Sequence, residues 1–356
     1  MTTTLHVKGP ADVIAVLPYE LGYHPVNSLV VVALHGNRLG LRARVDLPPP
    51  AEAGPTVAQL LGPLLDSGAQ DVLLIGYEKI DGASRPALDA MSTACVDAGL
   101  GVRDRLVVRD GRWYDLDCTS ADCCPPQGRP VPGADEVAAV AEFVAREKQP
   151  VADRAALAAW LRPARPLLAG AVDAAASRWL DRRLDSIDRP AEQHDDDLAE
   201  LRAWGHLLDH SDEAVPVAEL TPEELAMAAV SLVDIDLRDG LIAWLCPGTL
   251  GFDRAAPEVV AQLRAVLPPV PTGDDLTQAV SRQRIEARLI ELCRCLSPEW
   301  AVAPLTVLAS FTWWRGDGAL TRLALEQALE SDPSYRLALL LLRMVDLSIR
   351  PETATA

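Results

Sequence analysis

Two periods of apolar and polar residues run along this chain, and the change between them divides it. Residues 5–7 read as a short strand, 11–21 carry apolar residues at helical spacing, and 28–34 with 39–47 form a hairpin around His35-Gly36-Asn37-Arg38. After the extended stop at Pro48-Pro49-Pro50 the helical spacing returns over 57–65, the run DVLLIGY at 71–77 reads as a buried strand, and 83–98 is helical again. A second hairpin joins 102–108 to 112–116 through Asp110-Gly111, a pair suited to a tight turn. This order predicts an α/β fold with one mixed sheet, because two hairpin connections cannot belong to a wholly parallel sheet.

From Asp135 onward the strand signals fade. Helical spacing covers 137–146, 154–161, 167–184, 198–208, 222–232, 237–245, 256–266, 276–296 and three further segments, while 190–197 and 268–275 read as loops whose aspartates cap the helices after them. The expected organisation is an α/β domain with a mixed sheet over 1–133, followed by an all-α domain over 134–350. Near 302–345 the pattern has the layout of a single tetratricopeptide-like hairpin: Leu305, Leu308, Ala309 and Thr312, a Gly316-Asp317-Gly318 turn, Leu325 and Ala328, then Asp332-Pro333. A solenoid needs about three such repeats to bury its core, so an ordinary helical hairpin is the simpler account.

Three corners stand out for density of special residues. The first is Leu17-Pro18-Tyr19-Glu20-Leu21-Gly22-Tyr23-His24-Pro25-Val26-Asn27-Ser28-Leu29, where a helix end meets an apolar strand. The second is the turn with Cys118, Cys123-Cys124-Pro125-Pro126 and Gly128, and the third is Trp313-Trp314-Arg315-Gly316-Asp317-Gly318. With these motifs the chain resembles a family of uncharacterised actinobacterial proteins defined only as a domain of unknown function. The resemblance implies a fold and a lineage; it carries over no activity, cofactor or catalytic residue.

Composition narrows the function classes. The 356 residues suffice for two domains without staples, and a hydrophobic share of 49% is that of a folded protein. A formal net charge of −18 repels phosphate backbones and anionic lipid, so neither nucleic acid nor a membrane is an expected partner. None of the three lysines, Lys8, Lys79 and Lys148, sits in a P-loop, and no Gly-x-Gly-x-x-Gly comes after a strand. Residues 1–8 lack the character of a signal peptide and the apolar runs at 29–34 and 337–342 are too short to span a bilayer, which leads to a cytoplasmic expectation with the seven cysteines as thiols.

Candidate chemistry is sparse. Cys118, Cys123 and Cys124 lie in a turn stiffened by two prolines and a glycine, near Arg109, Arg112 and Arg129, whose charge favours a thiolate; a packed turn is the alternative. A closed zinc site takes four ligands, and no second Cys-x-x-Cys or His pair is nearby, so neither metal nor cofactor is expected. His206 and His210 have i, i+4 spacing without the His-Glu-x-x-His base, and Asp234, Asp236 and Asp239 lack the last ligand of a calcium loop, which favours helix capping. Ser28 has no nucleophile elbow around it. Tyr19, Tyr23, His24 and Ser28 could line a ligand cleft, and Trp313, Trp314 and Arg315 could form a recognition patch. The reading is a non-catalytic scaffold binding an unknown protein or small molecule; the alternative is an enzyme or redox protein using a thiol of the Cys118 to Cys124 turn.

Overall fold

The computed structural model describes residues 7–249, 256–273, 275–347 and 349. The strand expected at 5–7 falls largely outside these residues, and Val7 is not in a strand. The chain divides into two compact units. One is His6–Pro18 with Tyr23–Ala141; the other is Tyr19–Gly22 with the chain from Glu142 onward.

The first unit is α/β. Its sheet contains β1 (Ser28–His35), β2 (Arg38–Asp46), β3 (Asp71–Tyr77), β4 (Gly101–Arg109), β5 (Arg112–Asp115) and β6 (Arg129–Pro130), in the spatial order β2-β1-β3-β4-β5-β6. Only β3 and β4 run parallel, joined by the crossover helix α3 (Arg85–Asp97); every other neighbouring pair is antiparallel. The sheet is therefore mixed, as the hairpin signals require. Asp110 and Gly111 both adopt positive φ, of 52° and 69°, which is the backbone a two-residue hairpin needs. Strand β6 has no apolar alternation and contains Pro130, and proline is tolerated at such an edge because its missing N–H need not pair.

One face of the sheet sends Leu29, Val31, Val72 and Leu74 against α2 (Ala53–Asp66) and α3, which contribute Val57, Leu64, Leu88 and Met91. The alternate residues Val30, Val32 and Ile75 are also fully buried, so the central strands read as unbroken apolar runs. Helix α3 lies close to β3 because residue 76 is glycine. A Cβ there would stand 2.3 Å from Ser84 Oγ and 2.4 Å from Ser84 Cβ, so its absence brings the N-terminus of α3 beside the carboxyl end of β3.

After α1 (Pro10–Leu21) and α4 (Ala138–Ala145), the remaining helices are α5 (Arg154–Trp160), α6 (Pro166–Ser186), α7 (Pro190–Leu208), α8 (Pro222–Ser231), α9 (Ile235–Leu245), α10 (Pro257–Val266), α11 (Leu276–Cys295), α12 (Pro298–Trp314), α13 (Gly318–Ser331) and α14 (Arg336–Asp346). The expected loop at 190–197 is instead the first two turns of α7. Pro190 occupies a position where its missing N–H costs nothing, and the acidic run is neutralised by α6: Arg182 donates to the buried Asp196 at 2.7 Å and Arg183 to Asp197 at 2.7 Å. Asp234 accepts from the amides of Asp236 and Leu237 and so caps α9.

Glu200 on α7 gives this unit a pH dependence. Trp179 Nε1 donates to its Oε1 at 2.8 Å and Arg183 lies 3.5 Å away, yet burial dominates and pushes the carboxyl up to about 7. The unfolded chain loses this proton near 4.5, before the native protein does, so stability falls as pH rises from 4.5 toward 7, by about 3 kcal/mol in all. Urea unfolding of the parent and Glu200→Gln across that window should show the parent losing ground to the variant as pH rises; parallel curves would contradict the assignment.

Candidate ligand and thiol site

The carboxyl ends of parallel strands are where open α/β sheets leave a crevice, and β3 and β4 end side by side here. Immediately after β3 comes Glu78, whose side chain is buried and accepts four hydrogen bonds. Gly82 N donates to Oε1 at 3.1 Å, Ser84 N and Ser84 Oγ to Oε2 at 2.8 and 2.6 Å, and Arg109 Nη1 to Oε1 at 2.8 Å. The carboxylate thus holds the N-terminal end of α3, where orphan amides and the helix dipole favour negative charge. Arg109 also pairs with Asp81, and its guanidinium lies 5.1 Å from the centre of the Tyr114 ring.

The other wall is the turn between β5 and β6. Asp115 Oδ1 accepts from the amides of Asp117 and Cys118 at 2.9 and 3.1 Å, fixing the entry to the turn. Cys124 N donates to Ser120 O and Gly128 N to Pro125 O, each at 2.8 Å, which folds the middle. Arg112 closes the exit by donating to the carbonyls of Gln127 and Gly128 at 2.7 and 2.9 Å. Gly128 has φ of +72°, and a Cβ there would come within 2.6 Å of the Tyr114 ring, so the turn can lie against β5 only with glycine at this position.

Between these walls lies a cavity of about 370 Å³. Glu78, Asp81, Arg85, Arg109, Asp115, Cys118, Cys124 and Arg129 contribute its polar lining. The acids are committed within the protein. Arg129 stacks over Trp113 at 5.7 Å, and among the described residues the guanidinium of neither Arg85 nor Arg129 forms a hydrogen bond or ion pair.

The three thiols converge. Cys118 Sγ and Cys123 Sγ are 3.1 Å apart, and all three sulfurs lie within 4.8 Å of one another. The hydrogen bond with Cys118 holds the Cys123 thiol below its ordinary range, whereas Cys124 is pushed up to about 12, first by its bond with Cys118 and then by burial. Burial raises the other four thiols: Cys95 and Cys295 reach about 11, and Cys246 and Cys293 are shifted upward as well. In reduced, chelator-treated protein a thiol reagent at neutral pH should therefore modify residues in the turn first and leave these four until denaturation. One common rate for all seven would contradict this.

The chain is a member of a known family. It belongs to the family described as Domain of unknown function (DUF4192), whose model matches residues 10–352. No curated protein and no solved structure matches it. In this DUF4192 chain none of the residues singled out at the first corner lines the cavity: Tyr23 and Ser28 are buried, His24 is exposed, and Tyr19 packs against Phe143 with ring centres 5.9 Å apart. Ser28 Oγ has no hydrogen-bond partner among the described residues, and Arg44 lies 6.0 Å from the Tyr23 ring.

At the third corner the polar atoms are bonded within the protein. Trp313 Nε1 donates to Ile349 O, Trp314 Nε1 to Pro247 O, and Arg315 to the buried Glu286 and to Gln283 Oε1. His206 Nδ1 lies 2.7 Å from Glu224 Oε1 and His210 Nδ1 lies 3.0 Å from the Leu208 carbonyl.

Glu78, Asp81, Ser84 and Arg85 carry no local motif, so nothing in the sequence marks them by residue type. The available signal is positional: they come after the carboxyl end of a buried strand and begin a helix.

Proposed function

We propose that the α/β unit of this DUF4192 protein is a non-catalytic binding module for a small anionic ligand, carrying phosphate or carboxylate, held in the cavity at the carboxyl ends of β3 and β4. The observation that carries this reading is the pairing state of the lining charges: Glu78, Asp81 and Asp115 are engaged within the protein, while the guanidiniums of Arg85 and Arg129 remain for a ligand. A volume of about 370 Å³ suits a metabolite-sized molecule. Planar guanidinium donors fit phosphate and carboxylate oxygens in pairs. The helical unit serves as the scaffold for a partner protein, with the half-buried Trp313 and Trp314 as its proposed surface, while Arg315 is engaged with Glu286 and Gln283. The setting is cytoplasmic, and the charge of −18 directs the protein away from nucleic acid.

The test is a thermal-shift screen of amino acids, nucleotides and sugar phosphates on the parent and on an Arg85→Ala, Arg129→Ala double variant. A ligand at 100 times its Kd stabilises by about 2.7 kcal/mol, so the parent's Tm should rise for at least one anionic compound and the variant's should not. An absence of hits, or equal shifts in both proteins, rejects the reading. The second reading, a thiol enzyme or redox protein, is favoured by the 3.1 Å approach of Cys118 and Cys123. It requires turnover or reversible oxidation that disappears with Cys123→Ser.

A further inference from the structure

We infer that Cys118, Cys123 and Cys124 form a binding site for one thiophilic divalent cation, zinc, as an open three-thiolate centre. Along the sequence three thiols are one short of a closed tetrahedral site, but an open site takes three protein ligands and leaves the fourth position to water or a small ligand. The inference shares Arg85 and Arg129 with the ligand proposed for the cavity but rests on different donor atoms, the three sulfurs, and the metal titration reads it separately.

Three observations support it. The sulfurs are already gathered: one pair is 3.1 Å apart and all three lie within 4.8 Å, whereas three sulfurs bound tetrahedrally to zinc at 2.3 Å stand about 3.8 Å from one another.

The turn is also built without help from a metal. Asp115 fixes its entry, the Cys124 and Gly128 amides bond across it, and Arg112 binds two carbonyls at its exit. A loop held at both ends loses little conformational entropy when its thiols take an ion.

Charge provides the third. Three thiolates and one Zn²⁺ carry a net charge of −1, and Cys118 and Cys124 face a cavity whose wall includes Arg85 and Arg129. Sulfur-only donors select zinc or other soft ions over magnesium or calcium.

The experiment uses the full chain, reduced with a phosphine, stripped with chelator and titrated with Zn²⁺ against a chromophoric competitor, then with Co²⁺ as a spectroscopic probe. One equivalent of Zn²⁺ should bind, and Co²⁺ should give a thiolate-to-cobalt charge-transfer band that Zn²⁺ abolishes. Cys118→Ser, Cys123→Ser and Cys124→Ser should each weaken binding at least tenfold, while Cys95→Ser should leave it unchanged. Circular dichroism of each serine variant checks its fold, and X-ray absorption at the zinc edge of the parent should count three sulfurs, which keeps the test decisive if a variant unfolds. No competed Zn²⁺, a sulfur count of one or none, or full binding by the three variants would overturn the site.

Discussion

Glu78→Ala should destabilise the β3 to α3 connection by about 3 kcal/mol, since removing one partner from a buried, hydrogen-bonded charge pair leaves donors without acceptors. The lost carboxylate strands the amides of Gly82 and Ser84 and the Ser84 hydroxyl, and leaves Arg109 with only Asp81 and Tyr114. Opening of this segment becomes about a hundredfold more frequent at that cost, because each 1.4 kcal/mol is a factor of ten. Hydrogen exchange followed by mass spectrometry should show that acceleration in peptides spanning 78–97, with little change in the helical unit. Glu78→Gln should lie between the parent and the alanine variant, because one amide oxygen can still accept from Ser84 while the NH₂ group cannot accept from Gly82 or Arg109. Unchanged exchange in Glu78→Ala would mean that the carboxylate is not what holds the cavity wall.

Arg315→Met should be as damaging to the helical unit. Arg315 donates to Glu286, whose side chain is buried and whose carboxyl burial raises, with Arg315 opposing that rise. It also donates to Gln283 Oε1 at 3.1 Å and lies 5.8 Å from the Phe311 ring. Taking the guanidinium away leaves a buried carboxylate that keeps the Gln283 Nε2 donor at 3.0 Å but loses its ion pair, at a cost of about 3–5 kcal/mol at neutral pH. The sign with pH comes from the raised carboxyl. Glu286 in the variant takes a proton more readily, so the penalty shrinks as pH falls and reaches its full size only above the variant's own, further raised pKa. Adding Glu286→Gln should recover most of the loss, since the unpaired charge then disappears. Urea unfolding of the single and double variants measures this; a double variant no better than Arg315→Met would show that packing on Phe311, not charge, is what Arg315 supplies.

The fold is readable from sequence where physical chemistry is local. Strands β1 and β3 emerge from apolar runs, and the hairpin between β4 and β5 from Asp110-Gly111, whose positive φ values are those of a tight turn. The start of α7 is hidden because Pro190 and Asp195 to Asp197 look like a loop; only the fold shows that Arg182 and Arg183 of α6 stand opposite the last two aspartates. Strand β6 is too short for any period to register.

The site is legible only in part. The cysteine turn is visible as spacing, but the convergence of its sulfurs also depends on Arg112, whose bonds to the Gln127 and Gly128 carbonyls reach across the loop. Glu78 and Ser84 meet because Gly76 lets α3 approach β3, a long-range consequence of one missing methyl group. The attraction of the Tyr23 and His24 corner is its density of rigid residues, yet rigidity in a sequence does not distinguish a packed corner from a concave one.

Binding of an anion to Arg85 and Arg129, in the cavity between the α3 N-terminus and the cysteine turn, can be read residue by residue. Titration of the full chain with inorganic phosphate, followed by NMR of the arginine Nε–Hε groups and backbone amides, provides that reading. The expected result is saturable shifts at Arg85 and Arg129 and at the amides of Gly82 and Gly128, lost in the Arg85→Ala, Arg129→Ala variant. Saturable shifts centred on Tyr23 and His24, or none at the two arginines at any phosphate concentration, would contradict it.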